Sequence, residues 1–344
     1  MSGGRVASEQ DATLVRIETD DGLVGWGEQC VFSPNFLSAH GGGARATLEL
    51  LAPAVVGADP RQVEVVYARM DAAVKGHPYA KSAIDIACWD LLGKTTGLRV
   101  GDLLGGIFQD EFPLYTGIGI AAPEEMRRRT EEALDAGYRQ LQLKVGTDWR
   151  EDVERVESCL ELLGGAERVI VDANGFWTQA DATRFVAAVA DHDVYIEQPC
   201  ATIEECAQVR RRSRRPFVLD ESLTDLAALE RGREAADAVR LKLSQFGGIT
   251  PLRKARDLAA AWGLAMTLED SGGGDVVTAA TAHLSCSVQP RLLLNGFLVG
   301  EMVNERFAAG APRAVDGRAR LPAGPGLGVE VDEAALGEPV FRVG

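Results

Sequence analysis

The chain has 344 residues, enough for two domains or one large barrel with additions. Its 51 acidic against 36 basic side chains give a net charge of −15, which argues against nucleic acid or an anionic membrane surface as a partner. No apolar run approaches the ~18 residues of a membrane span, no signal peptide opens the chain, and six cysteines without a CxxC pair read as reduced packing residues, so a cytoplasmic location is expected.

Ala12 to Thr19 reads as a strand, Asp20-Asp-Gly22 as a tight turn, and Leu23 to Glu28 as the returning strand of an antiparallel hairpin. A loop over residues 29–43 follows, carrying Phe32, Pro34, Phe36 and His40. From Ala80 to Lys94, Ile84, Cys88, Leu91 and Leu92 fall on one stripe, with Gly97 just past the end, which is the pattern of an amphipathic helix. Residues 1–110 are therefore expected to form an α+β domain.

From Phe112 onward strands and helices alternate. Strands are predicted near 112–118, 140–145, 168–173, 194–198, 217–221, 238–244, 265–269 and 291–295, with helices between most of them, such as Pro123 to Ala136 and Val276 to His283. The eighth strand has no strong helix after it. Residues 111–304 thus read as an α/β unit, a modified TIM barrel of (β/α)7β form. Residues 305–344, rich in Gly and Pro, are expected to return to the N-terminal unit and complete it as a capping domain.

The active site of such a barrel lies at the C-terminal ends of its strands. Val169-Ile-Val-Asp172 is a buried apolar run that stops at a carboxylate, and Val194-Tyr-Ile-Glu197 and Phe217-Val-Leu-Asp220 stop in the same way. One acid at a strand end is usually a helix cap or a loop hydrogen bonder. Three on consecutive strands point to a hard cation held by oxygen, Mg²⁺ with Mn²⁺ as the alternative.

Alternation on the second strand puts Gln140, Gln142 and Lys144 on one face and the leucines on the other, so Lys144 is expected in the barrel mouth. The same parity turns Arg240, Lys242 and Ser244 of the sixth strand inward. Lys144 and Lys242 then face each other across the three carboxylates. The cation would hold a substrate carboxylate, and a lysine beside it is expected to have a lowered pKa, as a base needs when it removes the α-proton. A small carboxylate is the expected substrate. Asp275 reads only as the N-cap of the helix that follows.

These residues, with Gly25-Trp-Gly-Glu28, the Ala83 to Trp89 helix, Leu103-Leu-Gly-Gly106, Gly247-Gly248 and Gly324-Pro-Gly-Leu-Gly328, give the chain a resemblance that covers nearly its whole length. It resembles the enolase superfamily in its mandelate racemase/muconate lactonizing enzyme group, where a Lys or His base works with Mg²⁺. The resemblance implies metal ligands at Asp172, Glu197 and Asp220 and an acid/base pair at Lys144 and Lys242. With no histidine at the end of the seventh strand, the chain is similar to the lysine-based muconate lactonizing type.

Gly76-His77-Pro-Tyr79 and Ile196-Glu-Gln-Pro-Cys200 look most similar to hydroxyproline betaine 2-epimerase and cis-3-hydroxyproline dehydratase members. That implies a racemase, epimerase or dehydratase of a proline-like amino acid or betaine, and a homo-oligomer, dimer or octamer. Phe36, Gln142, Asn174, Glu269, Asp270 and Phe297 are the expected substrate contacts, the aromatics as walls for a ring or quaternary ammonium and the acids for a substrate cation.

Three departures matter. The usual Lys-x-Lys of the second strand is Gln142-x-Lys144, which removes one neighbouring charge. The Asp-x-Asp that dipeptide epimerases carry on the eighth strand is replaced by Leu292-Leu-Leu-Asn-Gly, which disfavours dipeptides. Relatives also have a strand before Ala12, so the cap is expected to lack an edge strand. A cycloisomerase, a syn-eliminating acid dehydratase and a metal-binding member without catalysis remain as alternatives. Gly117-Ile-Gly-Ile-Ala-Ala122 fits a dinucleotide loop, but Lys144 stands where that motif needs an acid.

Overall fold

The computed structural model describes residues 9–34, 37–162, 164 and 166–344. Ala12–Glu18 (β1) and Val24–Cys30 (β2) form the expected hairpin, in register from Ala12↔Cys30 to Glu18↔Val24. Four helices follow: Gly41–Val55 (α1), Val63–Ala73 (α2), Pro78–Thr96 (α3) and Val100–Leu103 (α4). The expected helix at Ala80 to Lys94 gains two residues at each end. Pro78 suits its first turn, where no N–H is needed, and Gly97 ends it at φ 70. α3 lies directly on β2: a Cβ at Gly27 would sit 1.7 Å from the carbonyl oxygen of Ala83, so only glycine permits this approach.

After Glu111–Pro113 (β3) the barrel begins. Its strands are Tyr115–Ile118 (β4), Gln140–Lys144 (β5), Arg168–Asp172 (β6), Tyr195–Glu197 (β7), Phe217–Leu219 (β8), Ala238–Lys242 (β9), Ala265–Glu269 (β10) and Leu293–Asn295 (β11). All pair in parallel in chain order, and a bridge between Leu114 and Gly296 closes the ring. The intervening helices are Pro123–Asp135 (α5), Trp149–Leu160 (α6), Gln179–Ala188 (α7), Ile203–Arg210 (α8), Leu226–Gly232 (α9), Leu243–Phe246 (α10), Ile249–Trp262 (α11) and Asp275–Cys286 (α12). Short tail strands complete the order: Ala308–Ala309 (β12), Arg318–Arg320 (β13) and Glu330–Val331 (β14).

The apolar residues sort by parity. Leu141, Leu143, Val169 and Val171 are buried outside the ring, where they meet the helices. Ile170, Val218, Ala238 and Leu294, with Tyr195 and Ala265 against them, form a separate apolar cluster that plugs the ring from inside. Above this plug the inward positions become polar.

The cap is fixed to the barrel by buried polar bonds. Asp85 on α3 accepts the Thr250 N–H at 2.8 Å, Trp89 Nε1 donates to the Thr250 hydroxyl at 2.8 Å, and the Glu28 carboxylate accepts the Gly274 and Val277 N–H groups at 2.5 and 3.0 Å. Gly248, at φ 118, brings its backbone so near Asp85 that a Cβ would lie 2.4 Å from the carboxylate. The tail touches both parts. β13 pairs with β3, Gly326 bridges to Arg99, and Leu327 N–H donates to Asp90 at 2.9 Å.

Two expectations change here. Asp275 is the first residue of α12 rather than its cap, which is Gly274. Its carboxylate accepts the Phe307 and Ala308 N–H groups, both at 2.9 Å, and meets Arg306, so it anchors the start of the tail. The sixth barrel strand stops at Lys242 and the chain turns at once into α10. Ser244 therefore belongs to a helix, not to the inward face of a strand.

Candidate functional site

Strand register sets the charged residues side by side. Lys144 of β5 stands opposite Asp172 of β6, and Asp172 opposite Glu197 of β7. Asp220 lies one residue past the end of β8, and Lys242 ends β9 opposite Glu269 of β10. Lys144 and Lys242 thus flank an arc made by Asp172, Glu197 and Asp220.

Each carboxylate of the arc is turned to a cation. Lys144 Nζ donates to Asp172 Oδ2. Lys242 Nζ donates to Asp220 Oδ2 at 2.7 Å. Arg240 Nε lies 2.6 Å from Glu197 Oε1, and Gln142 Nε2 donates to both Glu197 oxygens at 3.0 and 3.1 Å. Among the described residues no three His, Cys, Asp or Glu side chains are gathered into a ready-made metal cage. The expected three-acid cluster is present as neighbours on the ring, and its oxygens are divided among Lys144, Lys242 and Arg240.

The paired carboxylates set the direction of both lysine pKa values. Burial by itself would lower Lys144, but Asp172 and Glu197 hold it above its ordinary value. Burial likewise opposes, and Asp220 and Glu221 outweigh it, at Lys242.

The expected substrate contacts divide into several groups. Gln142 is spent on Glu197. Asn174, at φ 46, is folded back so that its amide donates to Asp172 at 2.9 Å and Glu221 at 2.8 Å. Glu269 accepts from the Tyr115 hydroxyl and from Arg240, both at 2.9 Å, so its charge is already matched below the mouth. Asp270 accepts the Ser244 N–H at 2.9 Å and hydroxyl at 2.5 Å. Phe297 stacks on Tyr115 with ring centroids 5.0 Å apart. Phe36 lies outside the described residues.

The site also holds residues to which pattern reading gave no role. Arg240 is fully buried between Glu197 and Glu269, with its guanidinium 4.3 Å above the Tyr115 ring. Its inward parity was a usable signal, since a buried arginine in mid-strand needs acids around it. Glu221 follows Asp220, and strand alternation says nothing of it because β8 has already ended. Burial, with Asp220 adding, pushes its carboxyl up to about 7, and its Oε2 has no hydrogen-bond partner among the described residues. A cavity of about 400 Å³ opens above, between Leu37 to Ala44 of the cap, His77 to Ala80 at the start of α3, and Glu221, Thr224 and Gln245 of the barrel rim.

The donor set fits a divalent cation. Six carboxylates (Asp172, Glu197, Asp220, Glu221, Glu269, Asp270) face Lys144, Arg240 and Lys242, and neither His nor Cys is among them. Burial raises Glu197, and while Arg240 opposes this, Asp172 and Asp220 add to it. Burial lifts Asp270 to about 6. An ion with two positive charges and a preference for oxygen would relieve this excess.

Comparison with known proteins shows the family. Residues 125–335 match the enolase C-terminal domain-like family and residues 2–105 the mandelate racemase/muconate lactonizing enzyme N-terminal domain. The chain is 44% identical over 343 residues to the cis-3-hydroxy-L-proline dehydratase of Roseibium aggregatum, covering 99% of this chain and 94% of that protein. It is 31% identical to the N-succinyl-L-Arg/Lys racemase of Bacillus cereus, covering 96% and 90%. A crystal structure of an enolase superfamily member from Roseovarius nubinhibens complexed with magnesium is 39% identical, with a TM-score of 0.92 over 96% of this chain and 91% of that one. The chain is therefore an enzyme of the enolase superfamily, built from a mandelate racemase/muconate lactonizing enzyme N-terminal domain and the barrel that goes with it.

Proposed function

We propose that this enzyme uses Mg²⁺ and a lysine base to remove the proton α to the carboxylate of a proline-like amino acid, with dehydration of a 3-hydroxyproline as its reaction. The placing of Lys144 and Lys242 on either side of the carboxylate arc carries the reading. Asp172, Glu197 and Asp220 would hold the ion, whose charge would stabilise the dianion left when the α-proton departs. Lys144 reaches the substrate from the β5 wall and Lys242 from the β9 wall, so one removes the proton and the other protects or reprotonates the opposite face. Arg240 and Gln142 hold Glu197 in place from below. The likeness to a cis-3-hydroxy-L-proline dehydratase supports elimination. The likeness to an N-succinyl-L-Arg/Lys racemase supports the shared first step, and epimerisation stands as the second reading.

The direct test is solvent exchange. Proline, its 3- and 4-hydroxy derivatives and their betaines are incubated in D₂O with enzyme and Mg²⁺, and the α-proton is followed by NMR. Mg²⁺-dependent loss of that signal is expected, with water eliminated from a 3-hydroxy substrate. Failure of the whole panel to exchange would remove the proposal.

A further inference from the structure

The start of α3 brings to the cavity a polar group that the chemistry above leaves unused. Tyr79 is the second residue of α3, lines the cavity and is 5% exposed, and its hydroxyl has no hydrogen-bond partner among the described residues. Leaving a buried hydroxyl unbonded is costly, so such a group calls for a partner that arrives from outside the fold. The turn that aims it is itself constrained: Gly76 at φ 71 and His77 at φ 52 precede Pro78, which opens the helix. On its barrel side the same cavity is lined by Glu221, Thr224 and Gln245, just past the ends of β8 and β9, so Tyr79 stands across from the mouth of the barrel.

Gln29 adds a second observation. It is fully buried, and neither atom of its amide is bonded among the described residues. Gly25 and Gly27, on the same face of β2, meet Leu91 and Ala87 and then Ala83 of α3. Two residues further along β2, Gln29 reaches the next turn of the helix, the level of Tyr79 and Ala80. The start of α3 thus brings to the cavity edge a phenol whose hydrogen-bonding capacity is unspent among the described residues.

We propose that Tyr79 is the general acid that protonates the leaving 3-hydroxyl, a role that rests on the α-proton reading above. Hydroxide is a poor leaving group and needs a proton, and the Tyr79 phenol is a donor at the cavity that the α-proton chemistry leaves unused. A lysine amine takes the α-proton. The electron pair of that bond forms the Cα=Cβ double bond, the Cβ–O bond breaks with its pair on oxygen, and the phenol proton turns the departing hydroxide into water. The lysine ammonium then returns a proton to the phenolate, so one water leaves and both side chains regain their starting state. Burial holds the phenol well above its ordinary range, with Asp270 adding and Lys242 opposing, so the proton is in place at neutral pH.

The test uses Tyr79→Phe in the full chain with Mg²⁺, on a 3-hydroxy substrate and its 3-chloro analogue, whose chloride needs no proton to leave. The kcat for water loss is expected to fall at least about 100-fold with KM nearly constant, while chloride loss falls far less. The ratio of α-proton exchange to dehydration is expected to rise by a similar factor. The melting temperature is expected to hold or rise, because the deleted hydroxyl has no hydrogen-bond partner among the described residues. Equal falls in water and chloride loss would make Tyr79 a structural residue, and a higher KM at unchanged kcat would make it a binding group. Either result overturns the proposal, as does a wild-type kcat in the variant. Absence of exchange in the wild-type enzyme is a separate result that sinks the parent reading, and this one with it.

Discussion

Lys242 and Asp220 form a buried ion pair across the β8–β9 boundary, Nζ to Oδ2 2.7 Å. Asp220 belongs to the arc that would bind the cation, and Asp220→Asn keeps its shape without its charge. Mg²⁺ affinity is expected to fall at least about 100-fold, at the upper end of what loss of a supporting residue gives. Isothermal calorimetry reads this directly. An unchanged affinity would show that Asp220 is not a ligand. Asp172→Ala is expected to abolish Mg²⁺-dependent exchange altogether, and activity surviving that change would undo the assignment of the arc.

Lys144 and Lys242 are expected to serve opposite faces of the α-carbon. With each enantiomer of a substrate that exchanges its proton, Lys144→Ala and Lys242→Ala should show complementary losses, each about 100-fold or more on one enantiomer. If both variants lose exchange of the same enantiomer only, one lysine is the base and the other stabilises charge, as a cycloisomerase or syn-eliminating enzyme would need.

Glu28 makes cap-to-barrel adhesion sensitive to pH. Burial raises its carboxyl from 4.5 to about 7, against the pull of the Val277 and Gly274 N–H groups. The folded state therefore binds this proton more tightly than the unfolded state does. The contribution is full below pH 4.5 and is lost as pH rises to about 7, by up to about 3 kcal/mol. Glu28→Gln should remove this slope, measured as urea-unfolding free energy from pH 4.5 to 7. A slope equal to that of the wild type would mean Glu28 does not titrate in this window.

His283 acts in the opposite sense. Its Nδ1 accepts the Gly101 N–H at 3.2 Å while Nε2 faces the Leu327 carbonyl at 3.1 Å, an arrangement that needs the neutral ring. Burial lowers its pKa from 6.5 to about 4. Its stabilising contribution is present above pH 6.5 and lost as pH falls toward 4, again by about 3 kcal/mol at most. His283→Gln is expected to flatten that loss. Glu28 and His283 oppose each other between pH 4.5 and 6.5, so the wild-type curve there should be flatter than that of either variant.

Much of this architecture could be read from residue order. Alternating strand and helix patterns marked the barrel, and three strands were apolar runs that ended at acids where they met the mouth. Alternation placed Lys144, Arg240 and Lys242 inside. It failed where strands stopped short: Ser244 went into a helix, and Glu221 entered the site from beyond β8. Tyr79 was visible only as part of a motif, because the barrel residues that share its cavity, Glu221, Thr224 and Gln245, lie more than a hundred positions away in the chain. The pairing of Lys144 with Asp172 and of Lys242 with Asp220 was not legible, because spacing shows which groups share a ring but not which of them pair. Asp275 looked like a cap by position, yet its partners Arg306, Phe307 and Ala308 lie in a tail with no strong pattern.

The ring of strands is closed at one narrow seam. Gly296, just past β11, donates to the Pro113 carbonyl at 2.8 Å and accepts the Tyr115 N–H at 3.0 Å. The same stretch takes β13 on its other side, with Leu114 N–H donating to the Gly317 carbonyl at 2.8 Å. During synthesis, therefore, β4 waits with an unzipped edge until some 180 residues more have been made, and the patch over that junction arrives later still. An interrupted chain would present this open edge to other chains, which makes the seam the place where incomplete molecules stick together. In the finished molecule, its few amides are where deuterium should enter the barrel first.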